Sequence, residues 1–241
     1  MISLLLLFAL AVDPQKTIAL EGETYHVQGI VVADQRLYVT SVDRPSRRGF
    51  LFEFELPSGK RLRSIEIQDG DRYHPGGFDA DADSFWIPVA EYKKLSSAVI
   101  QKRNRKTLAL EASFTVDDHI GCVAVAKDKL YGGNWDARQI YEWSKPAGKL
   151  LQKRDNPSSI HYQDCKFRDG KLLGAGTDGA TGAVEILDPA TLKLIRRVEY
   201  GKTPDRKQTL YTHEGMDVYK GKLYLLPEDA PSRLFVFAPA P

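Results

Sequence analysis

Five copies of one sequence pattern divide this chain, and each copy opens on a histidine. The copies begin at the five histidines that the 241-residue chain contains: His26, His74, His119, His161 and His213. The spacings of 48, 45, 42 and 52 residues fit a unit of four short strands, the size of a propeller blade. The repeat therefore predicts an all-β fold, a single five-bladed β-propeller.

Three more positions recur within the copies and fix their register. The third residue is Gln or Gly, an apolar residue opens the second strand, and an acid follows six residues later. The acids are Asp43, Glu91, Asp136, Asp178 and Asp229. A two-residue turn between the first two strands, clearest at Asp169-Gly170, would place each acid opposite the histidine of its copy. We therefore expect five pairs of a histidine and a carboxylate across five hairpins.

The two ends of the repeat region complement each other. The fifth copy has sequence for only three strands, whereas residues 16–22, before the first histidine, resemble a spare fourth strand. Pairing of these two ends would close the ring and remove an exposed sheet edge. The propeller is thus predicted to span residues 12–241, with blades starting near 26, 74, 119, 161 and 213 and the last blade closed by an N-terminal strand.

The first eleven residues have the features of a signal peptide. An apolar run ends in Ala9-Leu10-Ala11, the small-x-small pattern of a signal-peptidase site, and it is too short to span a bilayer. We expect residues 1–11 to be removed, which would make the protein secreted or periplasmic. A buried N-terminal strand is the alternative interpretation.

The chain has two cysteines, Cys122 and Cys165. Two thiolates are too few to form a metal site on their own. Two buried, unpaired thiols are the favoured interpretation, since the sequence does not give the geometry of a bridge. A disulfide between them is the alternative interpretation, because such bonds persist outside the cytoplasm.

Composition limits the partners that are expected. With 34 Lys and Arg against 32 Asp and Glu, the net charge of +2 gives no electrostatic case for nucleic acid. Basic residues in the loops, such as Arg44, Arg47 and Arg48, favour a small polar, anionic ligand. No membrane span is expected, and the chain is predicted to be a monomer. It contains no GxSxG, HExxH or phosphate-loop motif.

In a propeller, histidines at the starts of inner strands would form a ring at one mouth of the central channel. Three roles compete for this ring. Each histidine could donate to its acid and stabilise a hairpin, as in a noncatalytic interaction scaffold. A subset of the five could bind a divalent metal, zinc or iron, with the acids behind them. A histidine or acid could be the general base for a bound organic substrate. Trp135 and Glu228 are weaker candidates for the same mouth, whereas Glu214-Gly215 and Pro75-Gly76-Gly77 offer backbone flexibility at the channel. Whether the protein is an enzyme stays open.

Two resemblances accompany this pattern. The stretches "HPGGFDAD" from His74, "DHIG" and "HEGMDVY" resemble an uncharacterised family of secreted bacterial propeller proteins, which implies a fold but no activity. The stretches "QGI" (28–30), "LYVTS" (37–41) and "LFEFELPSGK" (51–60) resemble the first blade of the five-bladed glutaminyl-peptide cyclotransferases. That resemblance implies a small polar ligand at the channel mouth, and a glutaminyl cyclotransferase-like activity is a further alternative.

Overall fold

The computed structural model describes residues 13–145, 147–204 and 207–241, and the secondary structure of these residues consists of strands in five antiparallel sheets. The predicted signal peptide lies outside the described residues. Within them, no helix is long and apolar enough to cross a membrane.

Each sheet is one blade, and in the first four blades the strands follow one another in chain order from the channel outward. Blade 1 contains β2 (His26–Ala33), β3 (Arg36–Asp43), β4 (Arg48–Glu55) and β5 (Arg61–Glu66). Blade 2 contains β6 (Arg72–Pro75), β7 (Asp79–Ala80), β8 (Ser84–Glu91), β9 (Ala98–Asn104) and β10 (Leu110–Val116). Blade 3 contains β11 (Ile120–Val125), β12 (Lys129–Asn134), β13 (Gln139–Ser144) and β14 (Leu150–Asp155). Blade 4 contains β15 (His161–Arg168), β16 (Lys171–Thr177), β17 (Gly182–Leu187) and β18 (Leu194–Tyr200).

The fifth blade joins the two ends of the described chain. Its strands β19 (Glu214–Tyr219), β20 (Lys222–Pro227) and β21 (Arg233–Phe237) are completed by β1 (Lys16–Ala19). Strand β1 runs antiparallel to β21, with Lys16 opposite Val236. The prediction of a five-bladed propeller closed by an N-terminal strand is confirmed.

The predicted facing of each histidine and acid is wrong by one residue. In blades 1, 3 and 4 the pairing of the first two strands shifts around the third residue of the repeat, at Gln28, Gly121 and Gln163. A β-bulge of this kind places two residues of one strand opposite one residue of its partner. The register beyond the bulge therefore changes by one residue, and the histidine no longer faces the acid. The histidines pair instead with the residue before the acid: His26 with Val42, His74 with Ala90 and His161 with Thr177.

Inner strands of neighbouring blades approach closely where the repeat has glycine. A Cβ atom on Gly76 would lie 2.0 Å from the carbonyl oxygen of Gly121 in the next blade. Gly77 N–H donates to that same oxygen at 2.8 Å, and Val123 N–H donates to Gly77 at 3.0 Å. Glycine at position 76 therefore reflects backbone contact between blades at the channel.

Buried carboxylates tie the inner strands together around the channel. Asp164 Oδ2 accepts the backbone N–H groups of Ile30 and Met216, each at 3.0 Å, and so connects blade 4 with blades 1 and 5. Arg168 lies between Asp79 and Asp217 and donates to both, at 2.9 and 2.7 Å. Because these carboxylates are fully or almost fully buried, the ion pairs are part of the core.

The two cysteines form a disulfide, so the favoured interpretation of unpaired thiols is wrong. Cys122 in β11 and Cys165 in β15 lie on adjacent inner strands, with their Cα atoms 5.8 Å apart. This distance is ordinary for a disulfide. The bond joins the inner strands of blades 3 and 4, which are consecutive in the chain.

Candidate functional site

Four of the five repeat histidines line one cavity of about 210 Å³ at the channel mouth. They are His26, His74, His119 and His213. The fifth, His161, is exposed and is not among the residues that line this cavity. The described structure thus brings together most of the predicted ring, with one gap in blade 4.

The five predicted acids stabilise the turns between the second and third strands. Each binds groups of its own or a neighbouring turn: Asp43 with Ser46, Glu91 with Lys93 and Ser97, Asp136 with Lys94, Asp178 with the N–H groups of Ala180 and Thr181, and Asp229 with Arg233. These side chains are not among the residues that line the cavity. Because of the one-residue shift in the hairpins, none of these acids lies opposite the histidine of its own copy.

Two other carboxylates, Glu214 and Glu228, lie among the histidines. His26 Nδ1 is 2.8 Å from Glu228 Oε1, and this contact lowers the pKa of the Glu228 carboxyl. His213 Nδ1 is 3.7 Å from Glu214 Oε1. The ligand atoms of His26, Glu214 and Glu228 all lie within 4.8 Å of one another, close enough to hold one metal ion.

Glu214 is the most unusual residue of this cluster. Its side chain is 4% exposed, and its Oε2 atom has no hydrogen-bond partner among the described residues. Burial, together with the charge of Glu228, raises the pKa of Glu214 well above its usual range. Its backbone φ is +123°, a region that side chains other than glycine rarely occupy. Strain and an unsatisfied buried carboxyl at one residue are typical of a functional site.

The opposite wall of the cavity is made of rings. The His74 ring centroid lies 4.3 Å from that of Tyr92 and 5.2 Å from that of His119, which in turn is 4.5 Å from Trp135. Arg44 lies over Tyr92 with its Cζ atom 4.9 Å from the ring centre, and it also lines the cavity. The site therefore has an acidic side, an aromatic side and one guanidinium.

The buried histidines of this wall are neutral near pH 7. Burial lowers the pKa of His74 well below its usual range and lowers the pKa of His119 to about 4. The Arg44 guanidinium further opposes protonation of His74, as would a proton on His119 or His26. A neutral imidazole can bind a metal ion or accept a hydrogen bond, whereas an imidazolium can do neither.

Acid should therefore destabilise the protein through His119. In the folded state its pKa is about 4, below the ordinary value of 6.5, so the unfolded chain takes up the proton first as the pH falls. Between pH 6.5 and pH 5 this group should lower the free energy of unfolding by about 2 kcal/mol. Urea denaturation of metal-free protein at several pH values measures the loss.

His119→Asn provides the comparison for this measurement. Asparagine can still donate to the Lys93 carbonyl, which His119 Nδ1 approaches at 3.1 Å, but it does not titrate. The difference in stability between the two proteins should shrink or reverse as the pH falls. Asp118 and Glu91, which favour the charged imidazole, are present in both. An unchanged difference from pH 6.5 to pH 5 would contradict the assignment.

The repeat pattern did not indicate Glu214 and Glu228 as site residues, because the other four copies have no glutamate at these two positions. The position of Glu214, directly after the histidine, holds an apolar or aromatic residue or proline in the other four copies. The position of Glu228, directly before the acid, is Val42, Ala90, Trp135 or Thr177 in the others. A search for departures from the repeat, rather than for its most regular positions, would have found both glutamates and Trp135.

A family model matches residues 12–178 of this chain. The profile is that of a family of unknown function, DUF6454, and it covers more than two thirds of the chain. The chain belongs to this family. No protein with a curated description matches the sequence.

Several solved structures share the fold of this DUF6454 protein. The glutaminyl cyclase of Myxococcus xanthus is 12% identical, with a TM-score of 0.70 over 95% of this chain and 99% of that one. The tail fiber of Staphylococcus aureus phage P68 is 13% identical, with a TM-score of 0.63 over 95% of this chain and 53% of that one. A luciferin-regenerating enzyme is 11% identical, with a TM-score of 0.55 over 92% and 80% of the two chains. Identities this low establish a common architecture only.

Proposed function

We propose that this protein binds a divalent metal ion, zinc or iron, at His26, Glu214 and Glu228, together with a small polar ligand in the rest of the cavity. The observation that carries the proposal is the buried Glu214 carboxyl, whose Oε2 has no hydrogen-bond partner among the described residues and which sits beside a second carboxylate. An uncompensated buried carboxyl beside a like charge is unfavourable, and a divalent cation would compensate both groups.

The donor set supports a transition metal. One imidazole and two carboxylates combine the ligands that zinc and iron accept in proteins. Two ligand atoms each at about 2.1 Å from such an ion lie about 3 Å apart at right angles and about 3.4 Å apart in a tetrahedral site. The 2.8 Å between His26 Nδ1 and Glu228 Oε1 is close to the right-angle spacing. Three protein ligands would leave coordination positions for a ligand or for water.

Metal analysis of the purified protein tests the proposal. We expect one equivalent of zinc or iron per chain, and chelation followed by titration with Zn²⁺ should restore it. Glu214→Gln keeps the shape of the side chain but removes its charge, and it should weaken Zn²⁺ binding by about 100-fold or more. Competition with a chromophoric chelator measures the affinity.

His161→Gln is the matched control, since it changes a repeat histidine that does not line the cavity. It should bind Zn²⁺ like the wild type. Metal-free Glu214→Gln should be at least as stable as metal-free wild type, because the neutral amide avoids repulsion from Glu228. A metal-free protein whose Zn²⁺ affinity is unaffected by Glu214→Gln would refute the site.

Such a result would favour the scaffold interpretation, in which partners bind the loop surface. The alternative of a glutaminyl cyclotransferase-like activity is tested separately, by ammonia release from a peptide with N-terminal glutamine. We also propose that the protein acts outside the cytoplasm. The disulfide between Cys122 and Cys165 supports this location, because such bonds are rare in reducing compartments.

A further inference from the structure

The aromatic side of the cavity contains two hydrogen-bond acceptors whose protonation the neighbouring contacts determine. These acceptors lie on His74 and His119, which line the cavity together with the proposed metal ligands. A ligand that binds here must carry a hydrogen-bond donor for these acceptors. The inference rests on the proposed function, because the small ligand is part of that proposal.

Gln28 sets the tautomer of His74. Its amide nitrogen donates to the Val27 carbonyl at 2.9 Å, which leaves the amide oxygen facing His74 Nε2, also at 2.9 Å. An amide oxygen only accepts, so His74 Nε2 carries the hydrogen and Nδ1 carries the lone pair. Nδ1 is buried and has no hydrogen-bond partner among the described residues. A buried acceptor in this state favours a ligand that donates to it.

His119 is held in the other tautomer. Its Nδ1 lies 3.1 Å from the Lys93 carbonyl oxygen and therefore donates to it. Nε2 is then the nitrogen with the lone pair. Two neutral imidazoles with ring centroids 5.2 Å apart thus each keep one ring nitrogen as an acceptor.

The remaining features of the cavity suit a carboxylate. The proposed metal ion would have open positions for an anionic oxygen, and Arg44 brings the guanidinium that lines this cavity. A volume of about 210 Å³ is below the range of ordinary cofactor pockets and fits a molecule of a few heavy atoms.

We propose that the ligand is a small carboxylic acid with a hydroxyl or amino group beside the carboxylate. The carboxylate binds the metal ion and Arg44, while the hydroxyl or amino group donates to His74 Nδ1 or His119 Nε2. The aromatic side of the cavity would therefore bind more weakly those acids that lack a hydrogen-bond donor.

Glycolate and methoxyacetate form a matched pair of probes, because both carry a carboxylate and an adjacent oxygen but only glycolate can donate. Titration calorimetry on zinc-loaded protein should show tighter binding of glycolate by about tenfold, the effect of one hydrogen bond to a buried acceptor. His74→Phe should remove most of this preference. Gln28→Leu, which keeps the imidazole but frees its tautomer, should reduce it and guards against a folding defect in the first variant.

Equal affinities for the two acids on zinc-loaded wild type would overturn the inference, as would binding of neither. In both cases a stoichiometric metal would leave the proposed metal site standing. A protein that takes up no metal would refute the proposed function and this inference with it. Nitrogen NMR of the imidazoles gives a test that needs no metal: His74 should carry its hydrogen on Nε2, and a hydrogen on Nδ1 would contradict the assignment.

Discussion

Arg168→Met should lower the free energy of unfolding by about 3–5 kcal/mol, because it leaves two buried carboxylates without their cation. The Arg168 guanidinium donates to both oxygens of Asp79 and to Asp217, whose side chains are 0% and 1% exposed. Asp79 also accepts the backbone N–H groups of Val125 and Phe167 in the two following blades. Loss of the cation therefore removes two ion pairs and weakens contacts between blades.

Urea denaturation at neutral pH measures this effect, with Arg47→Met as the matched control. Arg47 pairs with Asp71 at 2.9 Å, but both side chains are mostly exposed, so its replacement should change stability by less than about 1 kcal/mol. The free energy of unfolding of Arg168→Lys should lie between those of the wild type and Arg168→Met, because lysine keeps the charge without the paired donors. Equal effects of the Arg168 and Arg47 replacements would show that the buried network does not stabilise the ring.

Removal of the disulfide should have the second large effect. Cys122 and Cys165 are 43 residues apart in sequence, and a cross-link over a loop of this length restricts the unfolded chain by about 4 kcal/mol. We expect the Cys122→Ala, Cys165→Ala double variant to be less stable than the oxidised wild type by about 2–5 kcal/mol.

Denaturation with and without a reducing agent tests this prediction. The reductant should destabilise the wild type and leave the double variant unchanged. Alkylation of the denatured, unreduced protein followed by mass spectrometry checks the bond directly, since neither cysteine should be modified. Two alkylated cysteines would restore the interpretation of unpaired thiols.

The local sequence determined the architecture, because a propeller is built from equivalent units. Each copy carries its own strand alternation and turn residues, and the five spacings fix the number of blades. The spare strand before His26 and the missing strand after Phe237 likewise predicted the closure that pairs β1 with β21. These features depend on contacts within one blade or between the two ends.

The residues of the candidate site were set by strand register and by contacts between blades, which the repeated sequence pattern does not show. A β-bulge adds one residue to a strand without changing the sequence pattern, so the hairpin register at Gln28 or Gly121 was not readable, and the predicted acids moved away from the histidines. Closure of the ring then decided which side chains meet. It brought Glu214 and Glu228 of the last blade beside His26 of the first. Packing of blade 3 against blade 4 brought Cys122 beside Cys165.

The repeated strand and turn pattern thus predicts a five-bladed propeller with histidines at one mouth. That four of these histidines share a cavity, and that Glu214 is buried there without a hydrogen-bond partner among the described residues, became visible in the folded chain. Strand patterns are local, whereas burial, pKa and the convergence of ligand atoms depend on side chains that folding brings together from separate blades.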